Sequence, residues 1–276
     1  MKSALQQSRQ SGQIVLITLL VLSIAATVAL SLIARTTTDV TMSSQVEESS
    51  RAFNAAEAGI EDALKTGIGS GGAKVLTPGV EYNVTVATIG GASGVYMIPR
   101  RTPRSTTETI WLVDHNPDGT LNEVPTFTAQ TLNVCWSHET TTPALVATIL
   151  YKRGGSYFIA KGAYDPDIRS NNFSGVTVAS GGCGEPTMYG QLIDFSADFN
   201  IDPDPDILLM LRLRPVYADT QFAVNASVPL PFQGNRIESL GTTETGVTRE
   251  IVVYQQYRSA PTIFDAALYS QNALTK

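Results

Sequence analysis

The sequence predicts an α+β fold: one long N-terminal α-helix that crosses a membrane, then a mostly antiparallel β-sandwich or jelly-roll-like domain. Three features predict it. Residues 13–34, QIVLITLLVLSIAATVALSLIA, lie in a stretch with no charge between Arg9 and Arg35, and a helical pattern continues to about Lys65. From Val80 onward the pattern changes to a period of two, with turn residues between short runs. After Lys65 no second long helical pattern occurs. The expected organisation is a leader at 1–12, a helix at 13–65 (span 13–34, amphipathic extension 35–65), a glycine-rich linker at 66–79 and a β domain at 80–276.

The apolar run is long enough for a bilayer. At 1.5 Å per residue it reaches roughly 33 Å as a helix, against a hydrocarbon core of roughly 30 Å. Thr18, Ser23, Thr27 and Ser31 interrupt it, and their hydroxyls can bond back to their own helix. Lys2 and Arg9 precede the run, whereas Asp39, Glu47 and Glu48 follow Arg35. The positive-inside rule therefore places the N-terminus in the cytoplasm and everything after Arg35 outside. Two simpler readings share these features. A cleaved secretory signal has an apolar core of about 7 to 15 residues, shorter than this one; a plain signal anchor would keep the run.

A third reading rests on Ser11-Gly12-Gln13, where a short polar leader ends in glycine directly against the apolar run. This boundary resembles the site at which prepilin peptidase cuts type IV pilin precursors, so the cut would fall after Gly12 and leave Gln13 first. RAFNAAEAGIEDAL (Arg51 to Leu64) is similar to the A-F-x-A-A-E-A-x-x-x-A-L run of PilX-like minor pilins and of the K-type minor pseudopilin of type II secretion. The resemblance covers residues 10–65. In major pilins the fifth mature residue is a glutamate that neutralises a neighbour's N-terminal amine; here it is Ile17. A subunit lacking that carboxylate cannot make the pair, and an unpaired charge in lipid is costly. The resemblance thus implies a minor subunit or assembly initiator of a type IV pilus or related filament, with its β domain displayed for surface interaction. Gln13 also departs from the apolar or aromatic residue more usual at the methylated position. The implied partners are other pilin subunits along the helix, the inner or cytoplasmic membrane before assembly, and prepilin peptidase. The different class of reading is a single-pass, membrane-anchored surface binding module; a type II secretion pseudopilin is a variant of the first.

On the extension, Met42, Val46, Phe53, Ile60 and Leu64 fall in one narrow stripe at a 3.6-residue period. In the pilin architecture the distal half of such a stripe packs on the β domain and the proximal half on neighbouring helices. Glu57 lies on the stripe, where a carboxylate must either pair or snorkel at its edge. Gly67, Gly69 and Gly72 satisfy G-x-G-x-x-G in form, but they follow a helix rather than a strand, so they read as a C-cap and linker.

Strands are expected at 82–89, 107–113, 126–136, 145–151, 157–164, 188–199, 207–214, 221–228, 236–240 and 247–257, with Gly154-Gly155 as a hairpin turn. Trp111, Trp136, Phe195 and Phe222 are candidate core residues, and 261–270 is either a short closing helix or an edge strand.

The charge balance of 19 basic and 25 acidic residues, −6 overall, carries no general nucleic-acid footprint, which needs clustered Lys and Arg. Arg100, Arg101 and Arg104 form the one local cluster, in a proline-bounded loop that reads as solvated. Catalysis is not expected: the chain has two histidines, His115 and His138, each in polar loop sequence, and no G-x-S-x-G elbow. Cys135 and Cys183 both fall outside the membrane, where one disulfide is the expectation and two buried thiols the alternative. Asp114, Asn116 and Asp118 with Gly119 match the opening of a calcium loop, but position twelve is Pro125 rather than an acid. The alternative there is a polar hairpin turn. No other cofactor is implied.

Overall fold

The computed structural model describes residues 8–104, 106–167 and 169–265. One helix, α1 (Ser8–Thr66), precedes twelve strands: β1 (Lys74–Thr77), β2 (Val80–Gly90), β3 (Gly94–Met97), β4 (Glu108–Trp111), β5 (Thr131–Ser137), β6 (Ala144–Arg153), β7 (Ser156–Tyr164), β8 (Met188–Asp194), β9 (Ile207–Val216), β10 (Phe222–Ala226), β11 (Phe232–Thr243) and β12 (Thr248–Gln256). A short helix, α2 (Phe195–Phe199), follows β8. The α+β expectation holds, with a long apolar helix ahead of antiparallel sheets.

α1 is 59 residues long. Proline is absent from it and no charge interrupts it between Arg9 and Arg35. Thr18 Oγ1 donates to Ile14 O (3.1 Å), Ser23 Oγ to Leu20 O (2.8 Å) and Thr27 Oγ1 to Ile24 O (2.8 Å), so these hydroxyls are satisfied within the helix. The helix stops where Gly67 turns left-handed (φ 74°) and its N–H closes on Ala63 O at 2.8 Å. This one helix is long and apolar enough to cross a membrane.

The chain divides into two compact units, Met1–Thr85 with Glu238–Val252, and Val86–Ile237 with Val253–Lys276. The expected limits at 66 and 80 do not coincide with these, and residues 74–77 of the supposed linker form β1, paired antiparallel to β2. In unit 1 the helix meets its sheet through Ala52, Ala55, Ala56, Gly59 and Ala63, all buried, with Ile60 at the border. Small side chains at this spacing leave backbone close to backbone: a Cβ on Gly241 would strike Ala52 O, and one on Gly59 would lie 2.7 Å from Val84 Cγ2.

Unit 2 holds two four-stranded sheets, ordered β3-β10-β5-β8 and β4-β9-β6-β7. Their inward residues form one core: Leu132, Val134 and Trp136 of β5 and Phe222 of β10 from one sheet, Leu145 and Ile149 of β6 and Leu211 of β9 from the other. That is a β-sandwich, with alternate residues of each strand turned inward. Trp136, Phe195 and Phe222 lie in this core; Trp111 is also buried, but outside the cluster. Gly154 and Gly155, both at positive φ, make the two-residue turn between β6 and β7.

Several strand limits differ from expectation. β5 starts at Thr131 rather than Thr126. β8 ends at Asp194 because that carboxylate accepts from Ser196 N (3.0 Å) and Ala197 N (2.9 Å), capping α2 where a strand to Phe199 was expected. Thr262–Asp265 form a turn of 3-10 helix; the rest of the expected closing element lies outside the described residues. β1 and β3 are too short to carry an alternation that sequence alone separates from loop.

Candidate functional site

The largest candidate surface is the helix itself. Every residue from 13 to 47 is exposed, including Gln13 and Ile17. Gly12 continues the helical backbone into Gln13, and the leader residues before Ser8 lie outside the described residues. The distal half of the stripe, expected to pack on the β domain, is covered there at Ile60 alone. Phe53 is 44% exposed and Leu64 45%, while Met42 and Val46 are also exposed; only Ile60 is buried. The alanine face docks instead, because a phenyl ring at the contact would hold the helix off its sheet, whereas Ala52, Ala56 and Gly59 let it approach. Glu57 is exposed, so its carboxylate is solvated in the single chain rather than buried against the β domain.

Polar contacts flank the docked face in unit 1. Thr245 Oγ1 donates to Glu48 Oε2 (2.8 Å), Arg249 Nε to Ser49 Oγ (2.8 Å), and Lys74 Nζ to Asp62 Oδ2 (2.7 Å). The hydroxyls of Thr243 and Thr245 hold the Glu48 carboxyl below its usual range. These bonds fix the helix's rotation about its axis, which turns Phe53 and Leu64 outward. The signal for this face was present as the spacing 52, 55, 56, 59, 63 of small residues; a search for large apolar residues passes over it.

Asp114, Asn116 and Asp118 sit at the polar turn closed by the bridge between His115 and Leu121. Asp118 Oδ1 accepts from Thr120 N (2.9 Å) and Thr120 Oγ1 (2.6 Å), and Asn116 Nδ2 donates to Thr120 Oγ1 (3.0 Å). The hydroxyl and amide of Thr120 keep the Asp118 carboxyl below its usual range. Among the described residues no group of three or more His, Cys, Asp or Glu is placed to hold a metal ion.

Cys135 and Cys183 are joined as a disulfide. Cys135 is on the outward side of β5, and the bond packs with Met188 and Ala223 beneath the loop Gly181–Gly184. His115, expected in polar loop sequence, stacks on Tyr257 (centroids 3.7 Å apart, planes 8° apart) and meets the edge of Trp111 at 4.6 Å. Arg101, at the basic cluster, is paired with Glu139 at 2.6 Å, and Arg100 with the buried Glu108 at 3.0 Å. No known family, curated protein or solved structure matches the chain.

Proposed function

We propose that this chain is a minor pilin: a non-catalytic subunit, or initiator, of a type IV pilus or related filament, held in the membrane by residues 13–34 until it is assembled. The observation that carries the reading is the length of bare helix. A tether needs only about 20 apolar residues, yet α1 runs on for some 18 Å beyond Arg35 with every residue to Glu47 exposed. Val40, Met42 and Val46 on that stretch, and Phe53 and Leu64 beyond it, are apolar side chains outside the hydrocarbon with water around them in the single chain. Helices of neighbouring subunits would cover them. Ile17, in place of an acidic residue, suits a subunit present in few copies. A type II secretion pseudopilin would use the same geometry.

The test is processing. Co-expression with prepilin peptidase should lower the mass by the leader ending at Gly12, and Gly12→Val should block that change. An unaltered mass in both proteins would leave a tethered surface module as the better account.

A further inference from the structure

In unit 2 the sheet β4-β9-β6-β7 ends on β7. Ser174 N donates to Ala163 O (2.9 Å), so the main-chain groups of Ala163 point away from β6. Hydrogen-bonding direction alternates along a strand, and Tyr157, Ile159 and Lys161 therefore also present their N–H and C=O outward. Ser174 occupies the Ala163 end of this edge; Tyr157–Lys161 is the open part among the described residues. Tyr157 is 57% exposed, Phe158 42% and Ile159 62%. Ile159 pairs with Leu150, and Leu150 with Met210, so an apolar row on the outer face of the sheet runs up to the edge and stops there. An open edge with apolar residues is a template for another strand.

We propose that Tyr157–Lys161 pairs antiparallel with the same segment of a second copy of this chain, about a twofold axis through Ile159. The sequence of the edge is self-complementary in that register. Ile159 meets Ile159 and extends the apolar row into the second sheet. Each Tyr157 faces the second copy's Lys161, placing an ammonium near an aromatic ring. Tyr157 OH donates to Glu123 Oε1 (2.6 Å), which anchors the ring and adds a carboxylate behind it, although Glu123 also pairs with Lys152. Lys161 Nζ gives one hydrogen bond to Asp265 O (2.9 Å) and keeps two N–H groups for the new partner. A closed twofold contact uses up both edges and does not propagate. The inference does not depend on the filament reading.

The full chain in detergent micelles carries the test. In the proposed register the two Ile159 Cα atoms lie about 5.5 Å apart, within the span of a disulfide. Ile159→Cys should oxidise to a covalent dimer at least tenfold faster than Phe232→Cys, which is 45% exposed on β11, not at a sheet edge. A second pair, Tyr157→Cys with Lys161→Cys, should also cross-link between copies. Adding Ile159→Pro removes an outward N–H but no bond to β6, and should slow that cross-link by roughly tenfold. Equal rates for Ile159→Cys and Phe232→Cys would overturn the proposal. So would fast cross-linking seen only after removal of Ala266–Lys276, because the edge would then belong to the chain's own last segment.

Discussion

Gly59 and Gly241 set how closely the helix and its sheet approach in unit 1. At Gly241 a methyl group would run into the carbonyl oxygen of Ala52, which belongs to a helix backbone and cannot yield. At Gly59 the obstacles are the side chains of Ser239, Val84 and Tyr82, which can shift in part. Gly241→Ala should therefore destabilise the docked helix more than Gly59→Ala, by about 1–3 kcal/mol. Hydrogen exchange of the amides between 52 and 63 would read the difference. His115 makes a residue-scale statement about pH. Burial pushes its imidazole below the usual 6.5, with the Asp114 carboxylate pulling the other way. A folded value below the unfolded one means that the neutral ring is the stabilising form. Its contribution is complete above 6.5 and declines as pH falls below that toward the folded value. Urea midpoints of His115→Gln, taken between about pH 5 and 7, should vary less with pH than those of the parent chain.

At the scale of the element, α1 has one docked face and one exposed face. The small-residue face, with Ile60 at its border, and its polar flank hold the helix on its own sheet, while Phe53 and Leu64 are exposed beside that contact. Phe53→Glu should then leave the unfolding free energy within about 0.5 kcal/mol of the parent, and, if the proposed assembly through α1 holds, should lower incorporation into a filament. Loss of folding in this variant would show that Phe53 serves the single chain after all. Among the strands, β5 divides its labour by alternation in the same way. Leu132, Val134 and Trp136 fill the sandwich, and Cys135 between them faces the opposite side and takes the cross-link.

For the whole molecule, the Cys135–Cys183 bond closes a separation of 48 residues. In the chain-entropy account a loop of this size stabilises by about 4 kcal/mol. Cys135→Ala with Cys183→Ala should lower unfolding stability by up to that amount, measured on unit 2 by denaturant titration. The loop it encloses contains the hairpin β6–β7 and the segment around Ser174 that borders the open edge, so the variant should also raise amide exchange there. Much of this architecture is legible without coordinates. The apolar run, the helix to Thr66, the glycine stop, the hairpin at Gly154-Gly155 and most strands depend on nearest neighbours and on periodicity, which are local properties of a chain. The docked face of α1 is different. Its residues are small, so they carry little hydrophobic signal, and only the approach of Gly241, far along the sequence, shows why they are there. Which strand ends a sheet is likewise invisible locally, since β6 and β7 read alike and only the order β4-β9-β6-β7 leaves Tyr157–Lys161 with a strand on one side alone among the described residues. Local periodicity marks the long helix, most of the strands and the segment apolar enough to cross a membrane; which faces are covered follows from tertiary structure, because burial is a property of pairs of distant segments and of the distance their side chains allow.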